Sequence, residues 1–299
     1  MASAQSPLRY PGGKQILGNV LAELIRLNRS SGGTYIEPYA GGAGAALSLL
    51  FAEHVSRIVI NDKDPAIFAF WNGVLHQTER FVKLLRHTPT TVEEWESQRE
   101  VYLKPRGHSS LRLGFATFFL NRCNRSGVIA NGGIIGGKQQ TGKWKIDARF
   151  NREELEARIR KIALYRERIG LHSMDAIEFL RGVVEPMPPR EKPFVYLDPP
   201  YYAKGSGLYL NHYQPDDHGA VATYLGGAPF RWVLTYDNVP QIRKLYADLR
   251  QVPFSLNYSA REASIGNEIM VLNEDIVLPA SWKKRIPNEM ISSGNRIAA

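Results

Sequence analysis

The chain of 299 residues holds a single cysteine, Cys123. One thiol forms no internal disulfide and supplies no cysteine-rich zinc site, which fits a reducing compartment. No apolar run approaches the ~20 residues that a membrane-spanning helix requires. The opening stretch MASAQSPLRYPGGK lacks the apolar core of a signal peptide, so a cytoplasmic protein without a membrane partner is expected. His172, His212 and His218 lack metal-ligand spacing, and no metal is expected. Repeats and low-complexity tracts are missing too.

What is present in excess is positive charge. Lys+Arg number 38 and Asp+Glu 29, a net charge of +9. The excess is local: residues 104 to 168 hold 15 Lys/Arg and 5 acids, a net +10, and the rest of the chain is −1. A basic stretch beside a near-neutral remainder points to a polyanionic partner for that stretch.

Around it the pattern alternates between strand and helix. Residues 15 to 29 carry apolar residues at helical spacing. Thr34 to Glu37 reads as a buried strand, followed by a glycine turn and an apolar helix through Phe51. Arg57 to Asp62 is a second strand, and Asp64-Pro65 opens a helix with proline at its favoured first position. From about residue 74 to 168 the alternation stops. Thr91 with Glu94 and Asn151 with Glu154 mark helix starts, Ser110 to Arg122 is helical, and the glycine-rich stretch Asn124 to Lys145 reads as loop and hairpin. Alternation resumes with strands at Gly170 to Ser173, Pro193 to Asp198, Trp232 to Tyr236, Ser255 to Tyr258 and Glu268 to Leu272. Helices are expected at Ala176 to Arg181 and Val239 to Arg250. The boundaries that follow are 1–73 and 169–280 for an α/β domain, 74–168 for an inserted basic domain, and 281–299 for a basic, mobile tail.

The sharpest signal is Asp198-Pro199-Pro200-Tyr201 at the end of a strand. Chance would produce this tetrad in roughly one chain in a thousand, so it asks for a reason. Strand carboxyl ends line the ligand crevice of an open α/β sheet, which delivers Asp198 there. The prolines stiffen the loop and leave carbonyl acceptors, while Tyr201 adds a flat ring. Acceptors plus a ring suit a planar base with an exocyclic amine. Asp198 and the Pro199 carbonyl would take its two N–H bonds, making the nitrogen more pyramidal and nucleophilic, and Tyr201 would stack on the base.

A second signal is Glu37-Pro38-Tyr39-Ala40-Gly41-Gly42-Ala43-Gly44, where glycines allow a sharp turn and close approach of a ligand before a helix N-terminus. The turn lacks GxGxxG spacing, and Asp62 at the end of the next strand suits ribose hydroxyls. The third is Leu8-Arg9-Tyr10-Pro11-Gly12-Gly13-Lys14, ahead of the first helix.

In this order, from about Leu8 to Leu272, the three motifs resemble the Dam-type (D12 class) DNA adenine N6-methyltransferases. The resemblance implies a Rossmann-like α/β methyltransferase sheet with an inserted, mostly helical recognition domain carrying a β-hairpin. It implies S-adenosylmethionine as cofactor, with Tyr10, Lys14, Asp62 and Asp198 at cofactor-contacting positions, Tyr39 and the Gly41-Gly42 turn against its methionine part, and Asp175 near its adenine. The turn is one residue longer than the family's commoner Gly-x-Gly. Asp198 fits an adenine enzyme, since cytosine N4 enzymes usually carry Ser there.

Asn121 to Gly127 resembles the stretch that leads into the family's DNA-contacting hairpin, with Cys123 and Asn124 where aromatic residues often follow the Arg. Arg122, Asn124 and Arg125 are the implied base or phosphate contacts, and Lys138, Lys143 and Lys145 the implied phosphate contacts. Trp144 would stack on nucleic acid or pack on the hairpin. The expected catalytic set is Asp198, Pro199 and Tyr201, acting on an adenine flipped out of double-stranded DNA. The resemblance implies a bacterial or phage-encoded monomer and leaves open a cognate restriction endonuclease as partner. Alternatives at this point are an RNA adenine or DNA cytosine N4 methyltransferase, and a non-catalytic nucleic-acid-binding relative.

Overall fold

A computed structural model of the chain describes residues 5–9, 17–203, 213–258 and 264–279. Tyr10, Lys14, His212 and the 281–299 tail therefore lie outside the described residues.

The fold is built on a mixed seven-stranded sheet in the order β3-β2-β1-β4-β5-β7-β6. Its strands are β1 (Thr34–Glu37), β2 (Arg57–Asn61), β3 (Ile169–His172), β4 (Phe194–Leu197), β5 (Arg231–Asp237), β6 (Arg250–Tyr258) and β7 (Ser264–Leu272). The first five run parallel, and β7 and β6 close the sheet as antiparallel strands. Central parallel strands are buried on both faces, which explains their nearly unbroken apolar reading. Alternate side chains feed two cores: Tyr35, Ile58, Ile60, Phe194 and Val233 pack on one face, and Ile36, Val59, Val195, Leu197, Trp232 and Leu234 on the other.

The helices α1 (Leu17–Leu27), α2 (Gly44–Phe51), α3 (Pro65–His76), α4 (Thr78–His87), α5 (Val92–Leu103), α6 (Ser110–Cys123) and α7 (Arg152–Leu164) precede β3. Their starts follow the sequence signals. The Glu94 N–H donates to Thr91 Oγ1 at 3.2 Å, and the Glu154 N–H to Asn151 Oδ1 at 3.1 Å, each satisfying a first-turn donor that the helix itself leaves open. None of the described helices is long and apolar enough to cross a membrane.

Helices α4 to α7 do not bury a core of their own. Phe81, Phe115, Phe118 and Phe150 pack with Phe70 and Trp71 of α3 in the same cluster as Tyr35 and Ile58 of the sheet. At the crossing of α6 on α3, a Cβ on Gly114 would lie 2.3 Å from the Ala69 carbonyl oxygen, so only glycine lets the two backbones meet this closely.

Two expectations change on the sheet's far side. The helix expected over Val239 to Arg250 stops at Leu245, and Arg250 already begins β6. Gln251 in β6 ends it: its Nε2 donates to the Arg243 and Tyr246 carbonyls at 3.0 and 2.6 Å, taking the acceptors the helix would have used to continue. Pro253 is tolerated in β6 because that strand is the edge of the sheet. The helix expected over Ala176 to Arg181 keeps α geometry to Phe179 and widens to a π turn over Leu180–Val184.

The hairpin expected over Asn124 to Lys145 is reduced to one antiparallel bridge, Asn124 with Ile134. The ladder cannot extend because Gly136 and Gly137 turn into positive φ, at 84° and 76°. Gln140 organises the loop instead. Its Nε2 donates to the Ile135 and Gly137 carbonyls at 2.8 and 2.6 Å, and its Oε1 accepts the Ile146 N–H at 2.8 Å.

Candidate active site

The parallel strands all end on one edge of the sheet, and the strand order reverses between β1 and β4. That reversal sends the following connections to opposite faces and opens a crevice at the strand ends. Into this edge β1 delivers Glu37 and Tyr39, β2 delivers Asp62, the loop after β3 delivers Asp175, and β4 and β5 deliver Asp198 and Asp237.

The glycine turn and Asp62 are joined directly. The Gly41 N–H donates to Asp62 Oδ2 at 2.8 Å, and the Asp64 N–H to Oδ1 at 3.0 Å. Loss of water pushes the Asp62 carboxyl up to about 7, although both N–H donors pull the other way. On the inner side of the turn Glu37, 5% exposed, accepts the Tyr35 phenol at 3.0 Å and the Ala46 N–H of α2 at 3.1 Å. The Trp71 indole fixes the Gly41 carbonyl at 2.9 Å. Gly42 is buried within the turn.

Asp175 caps the next helix, taking the Ile177 N–H at 3.0 Å, and pairs with Lys63 at 3.1 Å. Asn61 stitches this loop to the first: its Nδ2 donates to the Pro38 and Met174 carbonyls at 2.9 and 3.1 Å, and its Oδ1 accepts the Met174 N–H at 2.9 Å. One amide thus sets the spacing of the loops after β1 and β3.

Asp198 is oriented from the core. Thr235 Oγ1 donates to Asp198 Oδ1 at 3.2 Å and lies 2.8 Å from the Tyr196 phenol oxygen. The Tyr201 phenol donates to Glu268 Oε1 at 2.5 Å, and the Tyr202 and Ala203 N–H groups donate to Asp237 Oδ1 and Oδ2 at 2.9 and 2.8 Å. The loop after Pro200 is thereby tied to β5 and β7. Beneath it Tyr39 and Tyr213 share a hydroxyl contact of 2.8 Å, and His218 Nδ1 lies 2.8 Å from the Tyr236 phenol oxygen. His218 is 1% exposed, a core histidine whose burial lowers its pKa.

In the insertion the sequence-named residues divide. Asn124 is fully buried: its Oδ1 accepts the Trp95 indole N–H at 2.7 Å, and its Nδ2 donates to the Val128 and Ile129 carbonyls at 2.7 and 3.1 Å. Arg122 is 9% exposed and donates through Nε to the Arg149 carbonyl at 2.7 Å. Burial, then the nearby Arg9 and Arg158 charges, push its guanidinium down to about 10. Both face inward and hold the loop. Arg125, Lys138, Lys143 and Lys145 face outward, with Trp144 63% exposed among them.

Sequence reasoning missed Asn61, Thr235, Asp237 and Glu268 as site residues. All four carried a signal, a polar residue at a buried strand position, but for Asn61 and Thr235 nothing in the pattern says what the side chain holds. It also missed Asn121, whose Oδ1 accepts the Arg9 N–H at 2.7 Å and whose Nδ2 donates to the Arg9 and Gly127 carbonyls, both at 2.8 Å. Gly127, at φ 76°, leaves no room for a Cβ, which would stand 2.4 Å from the Arg9 oxygen.

A search of curated proteins returns no match to the chain. The profile of the D12 class N6 adenine-specific DNA methyltransferases matches residues 10–259. That span starts at the Tyr10 motif, includes the strand ends that carry Glu37, Asp62, Asp198 and Asp237, and takes in residues 104–168, where the positive charge is concentrated. Sequence profile and strand-end chemistry converge, and the chain belongs to the D12 class of enzymes that methylate adenine in DNA at N6.

Proposed function

We propose that the crevice between β1 and β4 binds S-adenosylmethionine beside an adenine flipped out of double-stranded DNA, and that Asp198, Pro199 and Tyr201 receive that base. The donor set fits the cofactor. Asp62 and Asp175 offer carboxylate acceptors for hydroxyl and amine donors, and the Gly41-Gly42 turn brings backbone close to the N-terminus of α2. Tyr39 lines the methionine side, and Tyr10 and Lys14 complete the set from sequence. When bound, S-adenosylmethionine supplies an electrophilic methyl group.

The chain's own residues prepare the amine. The Thr235 hydroxyl, itself set by Tyr196, fixes the Asp198 carboxylate so that it accepts one N–H of the adenine amine, while the Pro199 carbonyl accepts the other. Two fixed acceptors that draw the N–H bonds out of the base plane favour a more pyramidal nitrogen and weaken conjugation of its lone pair with the ring. Tyr201 holds the base by stacking. As the nitrogen gains its new bond, its surplus proton passes to Asp198 or to water. Placement and preset acceptors lower the barrier without a covalent intermediate.

Residues 74–168 serve as the recognition domain in this reading. Arg125, Lys138, Lys143 and Lys145 contact DNA, and Arg122 and Asn124 hold the loop that presents them. The observation that carries the reading is the Tyr196, Thr235 and Asp198 relay at the switch point, which aims a carboxylate where the base must sit. Its test is Asp198→Ala: methylation of a random-sequence duplex library, scored by modified-nucleoside analysis, should fall by about 10³-fold or more with DNA affinity retained. Near wild-type formation of N6-methyladenine by this variant overturns the assignment.

A further inference from the structure

The register of the outer sheet sets Glu268 of β7 directly opposite Asp237 of β5. Both are buried, at 1% and 7% exposure. Two carboxylates facing each other across neighbouring strands repel, and a carboxylate withdrawn from water is costly unless donors surround it. The next residues of β7, Ile269 to Leu272, are all apolar and buried, so an apolar side chain at 268 would suit the strand better than Glu does. A local rule broken at such a cost asks for a use beyond folding.

Both carboxylates are turned toward one object, the three residues that follow Pro200. Asp237 takes the Tyr202 and Ala203 backbone N–H groups. Glu268 takes the Tyr201 phenol. Pinning the backbone on one side and the hydroxyl on the other fixes a tyrosine ring at both ends, and with it the plane of its face. The two acids therefore divide the work, one setting where the loop runs and the other how the ring lies.

We propose that Glu268 is a positioning residue for methyl transfer, holding the Tyr201 ring in the plane on which the flipped adenine stacks. This rests on the reading of Tyr201 as the stacking surface. In this role Glu268 acts on the base through the Tyr201 phenol rather than by touching it.

The test uses the full chain, S-adenosylhomocysteine, and a duplex with 2-aminopurine at the methylated position, the site having been found by sequencing methylated library DNA. Glu268→Ala should lower kcat by about tenfold, leave the KM for S-adenosylmethionine unchanged, and brighten 2-aminopurine in the complex because stacking on the ring is lost. Glu268→Gln keeps an acceptor and should restore both. The double variant Glu268→Ala/Tyr201→Phe should be no worse than Tyr201→Phe alone, since both break one contact. Additive losses, or Glu268→Ala with wild-type kcat and fluorescence, overturn the proposal. If Glu268→Ala does not fold, Tyr201→Phe decides, and wild-type kcat with wild-type fluorescence there overturns it equally. Wild-type activity in Tyr201→Ala would instead remove the stacking reading itself, whereas an inactive Tyr201→Ala beside an unaffected Glu268→Ala removes only the role of Glu268.

Discussion

Buried polar groups gather in two regions of this molecule and serve different ends. At the carboxyl edge of the sheet, Asp62, Asp198, Asp237 and Glu268 come from four strands, and each takes its donors from a loop or a neighbouring strand, so that the loops are held in place by acids. In the insertion, Arg122 and Asn124 do the reverse, reaching from a helix end to carbonyls of the loop beyond it. At the strand ends the acids collect N–H and O–H donors while the Asn61 amide collects the Pro38 and Met174 carbonyls; around Arg122 and Asn124 the donors go to carbonyls alone. Polar burial alone therefore does not mark an active site; what separates the two regions is the cluster of carboxylates at the strand ends.

The contrast predicts that damage to the two regions separates. Asp198→Ala removes about 10³-fold in kcat and leaves the melting temperature close to that of the wild type, because Thr235 keeps Tyr196 as a partner. Asn124→Ala should cost about 3 kcal/mol in chemical denaturation, since it leaves the Trp95 indole N–H and two carbonyls without their partner. If the two variants exchange phenotypes, the division of roles is wrong.

Asp62 offers a finer cut. Its carboxyl, raised to about 7 in the folded protein, is neutral below that pH and ionised above it. Ribose hydroxyls favour the ionised form, so S-adenosylmethionine affinity measured by calorimetry should tighten about tenfold from pH 6 to 8, and Asp62→Asn should flatten the profile. An equally steep profile in Asp62→Asn would assign the titration to another group.

Smaller effects belong to the outward lysines. Replacing Lys138, Lys143 and Lys145 together by Gln should reduce the slope of log affinity for DNA against log salt by about two to three. An unchanged slope would move the DNA track elsewhere. Lys138→Gln alone loses only the exposed pair with Glu96, 2.8 Å apart, and should change stability by less than about 1 kcal/mol.

Much of the catalytic half was legible in the sequence. β1 and α2 fall where periodicity and the glycine turn put them, the caps at Thr91 and Asn151 form as read, and Asp198 ends β4 at the crevice. These features are local, written into neighbouring residues. The stop of the helix at Leu245 depends on Gln251, which reaches back from a strand, and the roles of Thr235 and Glu268 depend on partners 37 and 67 residues away. The hairpin that was expected and does not form has a different cause. Its glycines and β-branched pairs satisfy the strand pattern, but the positive φ of Gly136 and Gly137 and the reach of the Gln140 amide favour a compact loop. The inward direction of the Arg122 and Asn124 side chains was equally unreadable, since it is set by packing at the helix end.

The way α6 lies on α3 through Gly114 bears on how such an enzyme acquires a new target. A recognition unit with its own core could be exchanged between homologues as a cassette. Here Phe70 and Trp71 belong to the same core as Phe115 and Phe118, so a transplanted insertion would arrive without its floor and the donor scaffold would lose a wall. In the loop from Asn124 to Ile146, by contrast, exposed residues such as Arg125, Lys138 and Trp144 can be replaced without disturbing the seam. Engineering a different sequence preference should begin with libraries confined to that loop, keeping Asn124, Gln140 and Gly114 constant.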